Sequence, residues 1–130
     1  MKKAFITISI AFAISFQMVA QQKIVFEETI YDFDTIMQNS DGEHIFKFTN
    51  EGNAPLLITS AFSSCGCVIP EWPREPIVPS TKSNIKVKYN TGKLGPFTKV
   101  IVVKSNDPAS PKTVLRINGV VKEPPKEQKQ

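Results

Sequence analysis

Asn84-Ile85-Lys86-Val87-Lys88-Tyr89 alternates polar and apolar residues without a break, and Asn90-Thr91-Gly92 closes the run. Alternation with period two puts Ile85, Val87 and Tyr89 on one face of an extended strand and Lys86 and Lys88 on the other. A half-buried strand of this kind needs a sheet around it, and the flanking sequence supplies one. Downstream, Phe97 to Val103 is apolar on both faces, the pattern of a central strand, and Ser105-Asn106-Asp107-Pro108 with Pro111 forms the next turn. Thr113 to Val121 then places Leu115, Ile117 and Val121 inward. Upstream, Glu43 to Thr49 sets His44, Phe46 and Phe48 against Glu43, Lys47 and Thr49, with Ile45 breaking the alternation, before a turn at Asn50-Glu51-Gly52-Asn53. Leu56 to Phe62 groups Leu56, Ile58 and Phe62. Ile24 to Phe26 and Ile30 to Phe33 make a first strand or two, closed by Gln38-Asn39-Ser40-Asp41-Gly42. About seven short strands with turn signals between them and no helical period point to an all-β, immunoglobulin-like antiparallel β-sandwich, with a closed barrel as the alternative.

Between Ser63 and Lys82 no period holds. Unstructured stretches of that length are uncommon in a compact domain unless they are functional or hide a short strand, and Ile77-Val78 is the expected hidden strand. The stretch holds both cysteines of the chain in Ser63-Ser64-Cys65-Gly66-Cys67, its single tryptophan, Trp72, and four of its ten prolines. Antibody domains bridge facing sheets with distant cysteines; two cysteines two positions apart cannot do so.

The chain of 130 residues is one domain long, and its 41% hydrophobic content suits a buried core. Met1-Lys2-Lys3 followed by the apolar run Ala4 to Phe16 reads as a secretory signal peptide over residues 1–20, cut after Ala20. The run is shorter than the roughly 20 residues that span a bilayer, and no cysteine follows it closely, so neither a membrane span nor a lipid anchor is expected. Domain organisation follows: signal peptide 1–20, sandwich 21–122 and a disordered polar tail 123–130. Export to the periplasm or medium places the thiols where disulfides form. The formal charge of +4 falls to +2 without Lys2 and Lys3, and the lysines are interspersed with acids, which argues against nucleic acid as a partner.

Several segments, taken in order, carry a family resemblance: Phe46-Lys47-Phe48-Thr49-Asn50-Glu51-Gly52, Pro55-Leu56, Ser63-Ser64-Cys65-Gly66-Cys67, Pro76-Ile77 with Pro79, Gly95-Pro96-Phe97-Thr98-Lys99, and Ser105-Asn106-Asp107-Pro108. Together they resemble the bacterial domain of unknown function 1573, a family of exported proteins of Gram-negative bacteria, from about Phe26 to Val121. The resemblance implies an Ig-like sandwich similar to sperm-protein and ciliary modules, and no established activity. Val68 stands where that family often has Thr, and Ser80 where it often has Gly; the second departure speaks against a tight type II turn after Pro79, since Ser tolerates positive φ poorly.

For the thiol pair three readings stand. A Cys65–Cys67 disulfide closes so small a ring that chain entropy contributes only about 1.6 kcal/mol, against about 3 for a 15-residue loop. It is a weak staple, needs a local bend that Gly66 permits, and is easily reduced if strained and exposed. The structural reading has the pair packed or permanently bridged, the redox reading has it cycle, and the metal reading has both sulfurs bind Cu(I) or Zn(II), with His44 the sole histidine as a weak third ligand. His44, in phase with Phe46 and Phe48, fits a hydrogen-bonded, partly buried ring equally well. Trp72 and Ile77 mark a loop for partner contact, although a lone Trp also serves to cover the end of a core. No catalytic set appears: one histidine supports no triad beyond its own surroundings, and no phosphate-cradling glycine loop is present. The expectation is a non-enzymatic module without a resident cofactor that contacts a protein through its strand edges or its Cys65-to-Pro79 loop; the alternative is a thiol protein working through Cys65 and Cys67.

Overall fold

The computed structural model describes residues 19–126; most of the signal-peptide reading (1–18) and the end of the tail (127–130) lie outside the described residues. Eight strands form two four-stranded sheets. The first has the order β1 (Ile24–Phe26), β3 (Glu43–Asn50), β6 (Lys82–Tyr89), β5 (Val68–Glu71); the second has the order β2 (Ile30–Met37), β8 (Lys112–Lys122), β7 (Gly95–Ser105), β4 (Ile58–Ser63). All pairings are antiparallel except β2 with β8, which is parallel.

Alternation drives the layering. Phe46 and Phe48 of β3 with Ile85, Val87 and Tyr89 of β6 face Phe97, Ile101 and Val103 of β7 with Leu115, Ile117 and Val121 of β8, and all of them are buried. This is the interdigitated core of two packed sheets. The strand apolar on both faces, β7, lies between β8 and β4, as its composition requires.

Four features depart from the sequence reading. The strand hidden after the cysteines is β5, not Ile77-Val78. Ile77 instead forms an isolated bridge with Leu56, exchanging both backbone hydrogen bonds (2.8 and 2.7 Å). In β4 the register shifts between Ile58 and Ser60, and the bulge turns Ala61 inward and leaves Phe62 46% exposed. The strands number eight because the N-terminal stretch serves both sheets, β1 in one and β2 in the other. Lastly, Ser80 has φ 63° behind Pro79, and the Thr81 N–H donates to Val78 O at 3.3 Å, so the turn forms despite the serine. The Ser80 N–H donates to Asn50 O (2.8 Å), which helps offset a left-handed conformation costing about 1–2 kcal/mol.

Candidate functional site

Of the five changes of sheet along the chain, two join edge strand to edge strand and so lie at the flanks of the sandwich. On one side Glu27 to Thr29 carry it from β1 to β2; on the other, Ser64 to Cys67 carry it from β4 to β5. The Ser-Cys-Gly-Cys motif is therefore the crossing itself, joining the edge strand of one sheet to the edge strand of the other. Cys65 and Cys67 are joined by a disulfide with Cα atoms 5.2 Å apart, a separation at which the bridge forms readily. Gly66 does not have positive φ, and a Cβ built on it would meet nothing within 4 Å. The bend thus does not require glycine for its φ, and the side of the crossing above Gly66 is open.

The two sulfurs differ in their surroundings. The Cys65 N–H donates to Ser63 Oγ at 3.5 Å, and the Cys67 N–H donates to Cys65 Sγ at 3.2 Å. Cys67 packs against the core, and its carbonyl accepts the Asn90 N–H at 2.8 Å. A cleft of about 420 Å³ opens beside it, walled by Asn39, Ser40, Ile69, Lys88 and Asn90. Cys67 lines this cleft and Cys65 does not.

The other residues singled out in the sequence lie apart. His44 stacks on Tyr31 with ring centroids 3.5 Å apart, and its Nε2 is 2.7 Å from Glu28 Oε1. An ionised carboxylate only accepts, so Nε2 carries the proton and donates. Among the described residues no group of three or more His, Cys, Asp or Glu comes together as a metal site. In the Trp72 and Ile77 loop, Ile77 is only 6% exposed: it points into the core because its bridge to Leu56 turns it there, and it offers no contact surface. Trp72 packs against the core under the Arg74 guanidinium, 3.9 Å from the ring centroid, and its Nε1 is buried without a partner.

Two residues of the turns matter more than their turn roles suggested. Asn50, fully buried, donates through Nδ2 to Ala54 O (2.8 Å) and Ile77 O (2.9 Å) and accepts the Gly52 N–H through Oδ1 (3.0 Å). Asp107, 2% exposed, accepts from Ile24 N–H (3.0 Å) with one oxygen and from Ala109 and Ser110 N–H (2.9 and 3.1 Å) with the other. Asn106 receives the Leu57 N–H at 2.9 Å, docking the Ser105-Asn106-Asp107-Pro108 turn onto the segment after Pro55-Leu56. Gly52 lies against Gln21 and Lys23, where a Cβ would stand 2.6 Å from Lys23 N. These segments are scaffold.

Outside the core, the outer face of the β2-β8-β7-β4 sheet carries apolar residues in register. Phe62 pairs with Val102 and Val102 with Val114; one step along, Val100 pairs with Arg116 and Arg116 with Ile30. Phe62, Val114 and Ile30 are 46%, 52% and 58% exposed. Lys104, Lys112 and Arg116 share this face, Lys104 lying 5.4 Å from the Phe62 ring centroid. Asp32, opposite Asn118, is the acid there, and its Oδ1 accepts the Asp34 N–H at 2.8 Å.

Residues 24–121 match the family described as protein of unknown function (DUF1573). No curated protein matches the chain. Among solved structures it is similar to a protein of unknown function from Porphyromonas gingivalis W83 (17% identity, TM-score 0.68, 80% of this chain and 50% of that one). It is also similar to PapD-like domain 7 of human CEP192 (10% identity, TM-score 0.62, 81% and 89%) and to the periplasmic chaperone SfaE (10%, 0.54, 79% and 59%). At these identities the likeness is one of fold. The chain spans half the length of the Porphyromonas protein.

Proposed function

This chain belongs to the DUF1573 family, and from that premise we propose that it is an exported, non-enzymatic β-sandwich that binds another protein through the outer face of the β2-β8-β7-β4 sheet. The observation that carries the reading is the row Phe62, Val102, Val114 with Ile30 beside it, apolar side chains on four adjacent strands and turned to solvent. Single exposed apolar residues are ordinary; a contiguous group rimmed by charge marks an interaction surface. The charges on this face are mostly cationic, Lys104 and Lys112 beside the row and Arg116 between Val100 and Ile30, with Asp32 the acid, so the partner that fits offers apolar side chains flanked by carboxylates. The edges fit less well as docking sites, because β4 is bulged and β5 carries Pro70. The leader read over residues 1–20 supports export, and the likeness to a periplasmic chaperone and to PapD-like domains supports a protein partner.

A photo-crosslinking residue at Val114 in the full chain, expressed in its native cell and fractionated, tests the proposal. The expected result is a discrete crosslinked protein from the cell envelope, lost in the Phe62→Glu and Lys104→Glu backgrounds and absent when the probe stands at Lys86 on the other sheet. A crosslink to a second copy of the chain, or an equal yield from Lys86, would sink it.

A further inference from the structure

The binding face leaves the Cys65–Cys67 bridge unused, and its setting is that of a reacting disulfide with a defined direction. We infer that the crossing between β4 and β5 is a thiol–disulfide exchange site at which a thiolate of a partner dithiol protein attacks Cys67 Sγ and Cys65 leaves. Two observations support this polarity and a third opens the approach. Cys67 belongs to the cleft wall and Cys65 does not, so the cleft between Lys88 and Asn39 leads to the Cys67 side of the bridge. Cys65 Sγ already accepts the Cys67 N–H at 3.2 Å, a donor that stabilises negative charge on the departing sulfur. Lys88 at the cleft wall favours the approach of an anion, and Gly66 puts no side chain over the bridge.

The step balances as an exchange. The incoming sulfur bonds to Cys67 Sγ as the Cys65–Cys67 bond breaks, and Cys65 departs as a thiolate that takes a proton from solvent. The partner's second thiolate then attacks its own sulfur in the mixed disulfide and releases Cys67, which is protonated in turn. Two electrons pass from the partner dithiol to the bridge: the partner leaves as a disulfide and the chain holds two thiols. The low loop entropy of so short a ring keeps the oxidised form from being strongly favoured, as exchange in both directions requires.

Reduced glutathione, a monothiol, probes the polarity, since it forms the first mixed disulfide without a second thiol to resolve it. The folded full chain is treated with excess glutathione, quenched in acid at short times, alkylated and mapped by peptide mass. The expected adduct is glutathione on Cys67 with Cys65 alkylated, in about fivefold excess over the reverse arrangement. Lys88→Glu slows adduct formation about threefold or more while the sandwich stays folded, and the difference shrinks at high salt. Lys88→Gln gives a smaller slowing in the same direction. A bridge that survives excess glutathione in the folded protein, or an adduct mainly on Cys65, would overturn the inference.

Discussion

Asp107 shows how little a residue's type reveals of its work. Its carboxylate ties the start of β1 to the turn between β7 and β8 by accepting three backbone N–H groups. Removing it leaves the buried Ile24 N–H unpaired, which costs about 1–3 kcal/mol for such a group, and loosens the turn held through Ala109 and Ser110. Asp107→Ala should therefore lower stability by about 2–3 kcal/mol in urea unfolding, and a loss below about 0.5 would show that water replaces the carboxylate. In the sequence Asp107 and Asn50 were legible as turn residues; their burial was not, because it depends on segments some 27 to 83 residues away folding over them. Tyr89 allows a pH test. It is 5% exposed, stacks on Phe97 at 3.9 Å, and burial raises its phenol above the ordinary value of 10.0. Below that value both folded and unfolded phenols are neutral and nothing changes. As pH climbs through it, the unfolded phenol ionises while the folded one holds its proton, so stability falls. Thermal melts should show a drop in midpoint above pH 10 that Tyr89→Phe reduces; identical alkaline profiles would assign the drop elsewhere.

At the scale of elements, the alternating β6 and β8 were readable in the sequence, β3 was readable despite Ile45, and β7 was readable as central from its two apolar faces. The failures have named causes. Val68-Ile69-Pro70-Glu71 reads as loop because proline is excluded from paired strands, yet at an edge its missing N–H faces solvent and costs no ladder bond. Phe62 reads as core because alternation from Leu56 places it there, and only the bulge at Ile58/Ser60 reverses its face. The parallel partnership of β2 with β8 leaves no local trace at all, since Ile30 and Arg116 meet only in the folded sheet. Pro70 has a consequence that can be measured. With Ile69 60% exposed beside it, the β5 edge is a template for another strand, blunted by the proline. Pro70→Val restores the N–H and should raise self-association in sedimentation at unchanged monomer fold, whereas Pro70→Val with Ile69→Lys should not; a monomeric single variant would mean that the crossing at Cys65–Cys67 already shields the edge.

Across the whole molecule, the two crossings close the flanks of the sandwich while β8 holds its middle, hydrogen-bonded to β2 on one side and β7 on the other. The second sheet thus depends on β8: it supplies Leu115, Ile117 and Val121, each at most 2% exposed, and it alone joins the N-terminal β2 to its sheet. The disulfide stands at the opposite extreme, since its loop is too short to restrain the unfolded chain by more than about 1.6 kcal/mol. A chain ending at Lys122 loses, among the described residues, only exposed ones without strand structure (123–126) and should melt at the same temperature as the full chain. A chain ending at Pro111 removes one central strand, leaves β2 and β7 without their shared partner, uncovers the core side chains that β8 packs against, and should show no cooperative transition at all. Reduced, alkylated full-length protein should lie between them, folded but weakened by no more than the loop term. Cooperative unfolding of the Pro111 truncation would place the stabilising centre in the β3 and β6 pair instead, and collapse of the alkylated chain would make the bridge a structural clamp, leaving no reduced folded state for exchange to reach.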